Sequence, residues 1–160
     1  MCYNTGEVIG TSTEGEIGGI IGCSIINKEV NVKNCYNTGN VKANVTNITG
    51  VGGIVGWISE TGGKGSFTNN YNIGKVTLSN GTVRDMNCIG RLATGSVPKF
   101  VMSNNYCIGA PSANTNDIQT TLDTMKTTTF LNNLNTGLSS PTWEFRKGFN
   151  NGYPALIGVK

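Results

Sequence analysis

Apolar and polar positions alternate along this chain in short runs, and the alternation restarts at a fixed interval. The run CYNTGEV at 2–8 returns as CYNTGNV at 35–41, as NYNIGKV at 70–76 and as NYCIGAP at 105–111. Its tyrosines, Tyr3, Tyr36, Tyr71 and Tyr106, are 33, 35 and 35 residues apart. Within each copy successive residues face opposite sides of a short strand, and a glycine sits where the chain bends. A second apolar run follows about twenty residues after the tyrosine: GGIIG at 18–22, GGIVG at 52–56 and a looser NCIGR at 87–91. From each tyrosine to Gly22, Gly56 and Gly90 the separations are 19, 20 and 19, so the two runs keep phase. A period of this size predicts stacked repeats, each too small to bury its own apolar face.

Stacking brings like residues together. Tyrosine falls on tyrosine, Gly6, Gly39, Gly74 and Gly109 form one column, and Val8, Val41 and Val76 form another. Asn4, Asn37 and Asn72 are expected to join their side-chain amides in a ladder, as identical asparagines do in cross-β stacks. In the second strand Ile20 falls with Ile54 and Ile21 with Val55, supplying the filling. Glycine and β-branched residues crowd both strands, which argues against helix. The segments 10–16, 58–66 and 79–85 read as polar loops, with Asn80-Gly81 a tight turn. Asn44, Asn47 and Asn80 head N-x-S/T triplets, which are frequent in any Asn/Thr-rich chain and carry little weight.

Beyond residue 111 the pattern changes. Leu122, Met125, Phe130, Leu131 and Leu134 have partly helical spacing, with Asn116 or Thr120 as the expected start. The run Thr127 to Thr129 weakens the helix and predicts one broken helix or two short pieces. Trp143, Phe145, Phe149 and Tyr153 follow, and capping logic has them plug the open end of the stack. The competing reading makes Trp143 or Tyr153 a stacking platform for a sugar ring. Trp57, in line with Cys23 and Arg91 at a position that tolerates any residue, is the third candidate ligand contact.

The alternation of YNTG-type and GGIVG-type runs resembles the GLUG repeats of bacterial surface proteins, including regions of immunoglobulin A peptidases and large adhesins. The stretch from FLNNLNTG to TWEFRKGFNNGYPALIG resembles the segment that closes such arrays. The resemblance implies a cell-surface or secreted location, and it covers residues 1–110 and 117–158. The chain departs from the pattern where Asn87 and Cys88 break the third GGIVG run, and at Cys107 and Pro111 in the fourth tyrosine motif. Those departures read as the end of the repeats.

Composition agrees with short strands and frequent turns. Charged residues make up 13% of the 160 residues, against a usual ~25%. Regularly placed isoleucine, valine and tyrosine argue against disorder. The net charge of +3 is scattered over single lysines, so no nucleic-acid surface is indicated. No apolar run approaches the ~20 residues of a membrane helix, and none of the features of a secretion signal is visible. A chain that starts inside a repeat presents a raw strand edge, which suggests a piece of a longer surface protein.

Five cysteines leave at least one thiol unpaired. Cys2 and Cys35 stack within reach of one another, yet parallel neighbours suit a disulfide poorly, and free thiols throughout are expected. Cys88 falls in line with Ile20 and Ile54 and reads as a small core hydrophobe. The chain has no histidine, so His-based triads are excluded and a zinc site is disfavoured. Glu14 with Glu16 read as solvated loop acids, and Arg84, Asp85 and Arg91 are the only close mixed-charge group. GGIIG and GGKGS lack the spacing of a phosphate loop.

The resulting expectation is an all-β fold, a parallel β-helix-like β-solenoid of three to four stacked repeats. The repeats span 2–34, 35–69, 70–104 and a partial 105–111, and 112–160 form a short, partly helical cap. The expected function is a non-catalytic spacer or display element of a bacterial surface or secreted protein, with adhesion as an added role and no cofactor or metal. The alternatives are a module that binds a host or environmental glycan or protein, and an accessory region of a larger surface peptidase.

Overall fold

In the computed structural model the described residues are 1–11, 14–26, 29–44, 47–60, 64–78, 86–92, 100–108 and 117–159. They are mostly strand. In chain order the strands are β1 (Cys2–Asn4), β2 (Val8–Gly10), β3 (Glu14–Gly18), β4 (Ile21–Ile26), β5 (Glu29–Lys33), β6 (Cys35–Asn37), β7 (Val41–Ala43) and β8 (Asn47–Glu60). There follow β9 (Lys64–Asn72), β10 (Val76–Leu78), β11 (Met86–Leu92), β12 (Phe100–Cys107), β13 (Asp117–Gln119), β14 (Trp143–Glu144) and β15 (Ala155–Leu156).

Three parallel sheets each take strands from successive sequence repeats. The first runs β1-β6-β9-β12-β13, with β5 also on β9; the second runs β10-β7-β2; the third runs β11-β8-β3, with β4 also on β8. The pairing register is the sequence period itself: Tyr3 opposes Tyr36, Tyr36 opposes Tyr71 and Tyr71 opposes Tyr106. Val8, Val41 and Val76 likewise form one row. None of these sheets closes on itself among the described residues.

Among the described residues the expected columns are present; Gly109 lies outside them. Tyr3 and Tyr36 stack with ring centres 5.2 Å apart and planes at 15°, and Tyr36 and Tyr71 at 5.3 Å and 5°. The Asn4 amide nitrogen donates to Asn37 Oδ1 at 2.8 Å, and that of Asn37 donates to Asn72 Oδ1 at 2.8 Å. Each also closes a local turn by donating to the carbonyl two residues on. Glycine is required beside this ladder. A Cβ on Gly39 would lie 1.9 Å from the Gly6 carbonyl oxygen, and one on Gly74 1.9 Å from that of Gly39.

The glycine pair of the third sheet has its reason in the same ladder. A Cβ on Gly53 would lie 2.0 Å from Asn72 Cγ, and one on Gly19 2.7 Å from Asn37 Cγ. The asparagine of one repeat therefore lies under the Gly-Gly of the repeat before it. Alternation then turns Cys35 and Asn37 inward and Tyr36 outward. The inner side carries a core of Val32, Cys35, Ile54, Val55, Ile58, Phe67 and Ile89.

Two interior features lie beyond the expected columns. Asn34, Asn69 and Asn104 all take left-handed backbone, with φ of 53°, 58° and 53°, a conformation asparagine adopts more readily than most residues. A second amide row runs beside the first: Asn70 accepts from the Cys35 amide at 2.8 Å and donates to Asn105 Oδ1 at 2.8 Å.

The cysteines correct the expectation of free thiols throughout. Cys2 and Cys35 face each other in register and are free, as is Cys23. Cys88 and Cys107, however, form a disulfide with Cα atoms 5.8 Å apart. The third sheet slips between Asn87 and Ile89, so Cys88 stands opposite Gly53 and Ile54 of β8, while Cys107 opposes Asn72. The two sulfurs thus meet where the preceding repeats place an asparagine against glycine.

The closing segment lies differently from the expected end plug. β13 first extends the first sheet beyond β12, with Asn105 opposite Asp117. Helix does not start near Thr120, whose amide donates to the Cys107 carbonyl at 2.9 Å, because the β12 edge takes those backbone groups; Asn116 lies outside the described residues. A 3-10 turn at Thr124–Lys126 precedes α1 (Thr128–Asn135), so the helical material comes in two short pieces. Thr127 breaks them and caps the second, accepting from the Phe130 amide at 3.2 Å. Met125, Phe130, Leu134, Trp143 and Leu156 then cover the outer side of Tyr36, Tyr71 and Tyr106 in one buried cluster. The outward tyrosine row is the apolar surface that needs a cover.

Gly39→Ala is expected to destabilise the protein by about 1 to 3 kcal/mol in denaturant unfolding, because its methyl meets the Gly6 carbonyl. Gly6→Ala is the matched control: its Cβ would find only Asn4 Oδ1, at 3.7 Å, and stability should be nearly unchanged. Equal effects at the two positions would contradict the contact argument.

Candidate functional site

The three candidate contacts fall in two places. Trp143 and Tyr153 lie in the closing segment and are 1% and 7% exposed, whereas Trp57 is half-buried on the third sheet.

Trp143 is held on all sides. Asn135, at the end of α1, accepts from the Thr142 and Trp143 amides at 2.9 and 3.0 Å and donates to the Trp143 carbonyl at 3.0 Å. The indole lies 5.9 Å from the Tyr36 ring and 5.4 Å from the Tyr71 ring, tilted to both, and its N–H donates to Asn34 Oδ1 at 3.3 Å. One of the left-handed asparagines thereby satisfies the buried donor. β14 pairs antiparallel with β15, so Leu156 comes opposite Trp143.

Tyr153 follows a turn in which Asn150 and Asn151 have φ of 49° and 51°. That turn presents the Asn150 amide, which donates to the Tyr71 hydroxyl at 2.7 Å and the Pro154 carbonyl at 2.9 Å. The Tyr71 hydroxyl itself donates to the Pro154 carbonyl. Lys126 Nζ sits 4.6 Å from the centre of the Tyr153 ring. Neither Trp143 nor Tyr153 offers a free face, so the sugar-platform expectation is corrected for both: the outward tyrosine row uses their surfaces.

Burial raises the covered phenols. It pushes Tyr71 well above the usual tyrosine range, against the opposing pull of the Asn150 hydrogen bond. Tyr36 is also raised, by burial first and by the neighbouring Tyr3 second, and Tyr106 is raised by burial against a hydrogen bond with Asn133.

Trp57 has a different setting. It opposes Cys23 of β4 on one side and Arg91 of β11 on the other, with the Arg91 guanidinium carbon 6.0 Å from the ring centre. Its indole N–H is shielded and has no hydrogen-bond partner among the described residues. The Cys23 thiol is raised by burial and then by the Glu16 carboxylate, which places a negative charge in the same neighbourhood. An indole, a guanidinium and a carboxylate on one outer surface can engage a polar ligand through stacking and hydrogen bonds. The side chains of Arg84 and Asp85, and that of Glu14, lie outside the described residues.

One group of metal-type donors occurs among the described residues: the ligand atoms of Cys88, Cys107 and Asp117 lie within 4.8 Å of one another, all buried. The sulfurs are bonded to each other, which leaves the Asp117 carboxylate as the anionic donor, and its Oδ2 accepts from the Ile89 amide at 3.3 Å. Among the described residues no helix is long and apolar enough to cross a membrane. No protein-family model, curated protein or solved structure matches the chain.

The raised phenols set the direction of alkaline unfolding. An unfolded tyrosine ionises near pH ~10, while Tyr36, Tyr71 and Tyr106 ionise higher when folded. Their contribution is fully present below pH ~10 and is lost as pH rises through the folded values. Denaturant unfolding should give level stability from these groups between pH 7 and 9 and a steady fall above ~10. Phenolate absorbance that develops for all five tyrosines near pH ~10 without unfolding would contradict the buried row.

Proposed function

We propose that the chain is a β-solenoid repeat module, a non-catalytic spacer and display element of a bacterial cell-surface or secreted protein. The observation that carries this reading is the translation of whole rows by one sequence period, with tyrosine, asparagine and valine each opposite its own kind. Such a construction adds length one strand spacing at a time and needs no pocket. The GLUG-like runs support the surface location, and the lack of histidine supports a role without acid-base turnover. A second reading, recognition of a glycan or host protein, draws on the half-exposed Trp57 beside Arg91.

Inserting three further copies of residues 35–69 should leave a folded protein lengthened by ~14 Å along the stack in small-angle X-ray scattering. Unfolding, or growth in all directions alike, would remove the solenoid reading. A glycan array separates the two roles: reproducible binding that is lost in a folded Trp57→Ala variant would replace spacing by recognition.

A further inference from the structure

We propose that the edge formed by β1, β2 and β3 is a docking edge for one more coil of the same kind, bearing a Tyr-Asn-x-Gly sequence in parallel register. This rests on the repeat reading of the preceding subsection and names the partner it calls for.

Three observations define the occupant. First, β1, β2 and β3 are the terminal strands of the three sheets, all at the same end. Residues of this first repeat are open where their equivalents are covered: Cys2 and Gly6 are exposed while Cys35 and Gly39 are buried, and Tyr3 is 42% exposed while Tyr36 and Tyr71 are 0%. The inner side of the row thus ends in mid-pattern.

Second, the amide ladder has a direction. Each asparagine donates to the next repeat and accepts from the one before, so Asn72 Oδ1 takes both the Gly74 amide at 3.1 Å and the Asn37 side chain at 2.8 Å. Asn4 Oδ1 takes the equivalent local amide, from Gly6 at 3.2 Å, and its second acceptor position faces the open edge. A primary amide N–H from a stacked asparagine fits that position.

Third, Gly6 is a glycine that its own repeat does not require. Gly39 and Gly74 are forced to be glycine by a carbonyl of the preceding repeat at 1.9 Å from any Cβ, whereas a Cβ on Gly6 meets nothing closer than 3.7 Å. The missing carbonyl is what an added coil would bring. A partner strand lacking the Gly turn, or one paired antiparallel, would not place it there.

The test fuses a copy of residues 35–67 ahead of Cys2, which sets its tyrosine 33 residues before Tyr3, the interval seen between Tyr3 and Tyr36. Iodoacetamide labelling is followed at Cys2, with the rate at Cys2 of the unfused chain as the reference. In the covered state Cys2 takes the place Cys35 now has, where burial pushes the thiol up to about 11. Labelling of Cys2 should slow at least tenfold relative to the unfused chain, and Gly6→Ala in the fused chain should restore it. Unchanged Cys2 labelling in the fused chain overturns the proposal, whatever the length measured for internal insertions. Concentration-dependent dimerisation of the unfused chain that protects Cys2 also overturns it, by giving the edge to a second copy.

Discussion

A buried row of side-chain amides controls this fold. Asn37 shows why: its Oδ1 accepts from Asn4, and its two amide hydrogens go to Gly39 and Asn72. A carboxamide taken out of water without partners is costly, and one with every donor used is worth about 1 kcal/mol per bond. The arrangement works only if the next repeat presents the same group at the same height. Register is thereby fixed, since a slip by one residue would put tyrosine inside and leave the amides unpaired. The ladder also decides what may stand opposite it, because the volume of each amide leaves no room for a side chain at Gly19 or Gly53. The two recurring runs of the sequence are two halves of one contact.

That contact explains the departures near residues 88 and 107 better than decay of the repeat does. Cys107 stands where Asn72 stands one repeat earlier, and Cys88 stands opposite Gly53 and Ile54. Losing asparagine removes the ladder, and losing the glycine pair removes the space it needed. The disulfide fills that space with a covalent link between β11 and β12. A pair of changes that look independent along the chain is a single exchange of polar for covalent cohesion at the last full repeat.

Much of this was legible because translation makes sequence spacing and spatial neighbours equivalent. The rows of tyrosine, valine, asparagine and glycine could be read off the period, as could the break in the helix at Thr127. The left-handed column of Asn34, Asn69 and Asn104 was visible only as an asparagine ahead of each tyrosine motif, a signal that composition hides in an Asn-rich chain. The disulfide is not legible in the period, because in-phase alignment sets Cys88 beside isoleucine, whereas the third sheet shifts register at that residue and Cys88 bonds Cys107 of β12. By residue type alone Trp143 and Tyr153 suit an exposed aromatic platform. Their burial follows from which side of β6 and β9 needed covering, a question that periodicity does not address.

The closing segment settles which surfaces remain for interaction. Had it plugged the end of the stack, the tyrosine row would be an open ribbon of stacked rings, a ready aromatic surface. Instead Trp143, Phe130 and Leu134 spend that ribbon on internal packing, and Asn34 and Asn150 consume the indole and phenol hydrogen bonds that would orient a ligand. Aromatic content is therefore a poor guide to recognition here. Two surfaces that stay open among the described residues are the third-sheet row around Trp57, whose indole N–H is shielded but unbonded, and the β1 edge, whose shape copies an interface already made twice within the molecule. The first sets no register or spacing on what could meet it. The second is far more selective, since register, amide polarity and a carbonyl against Gly6 must all be met at once.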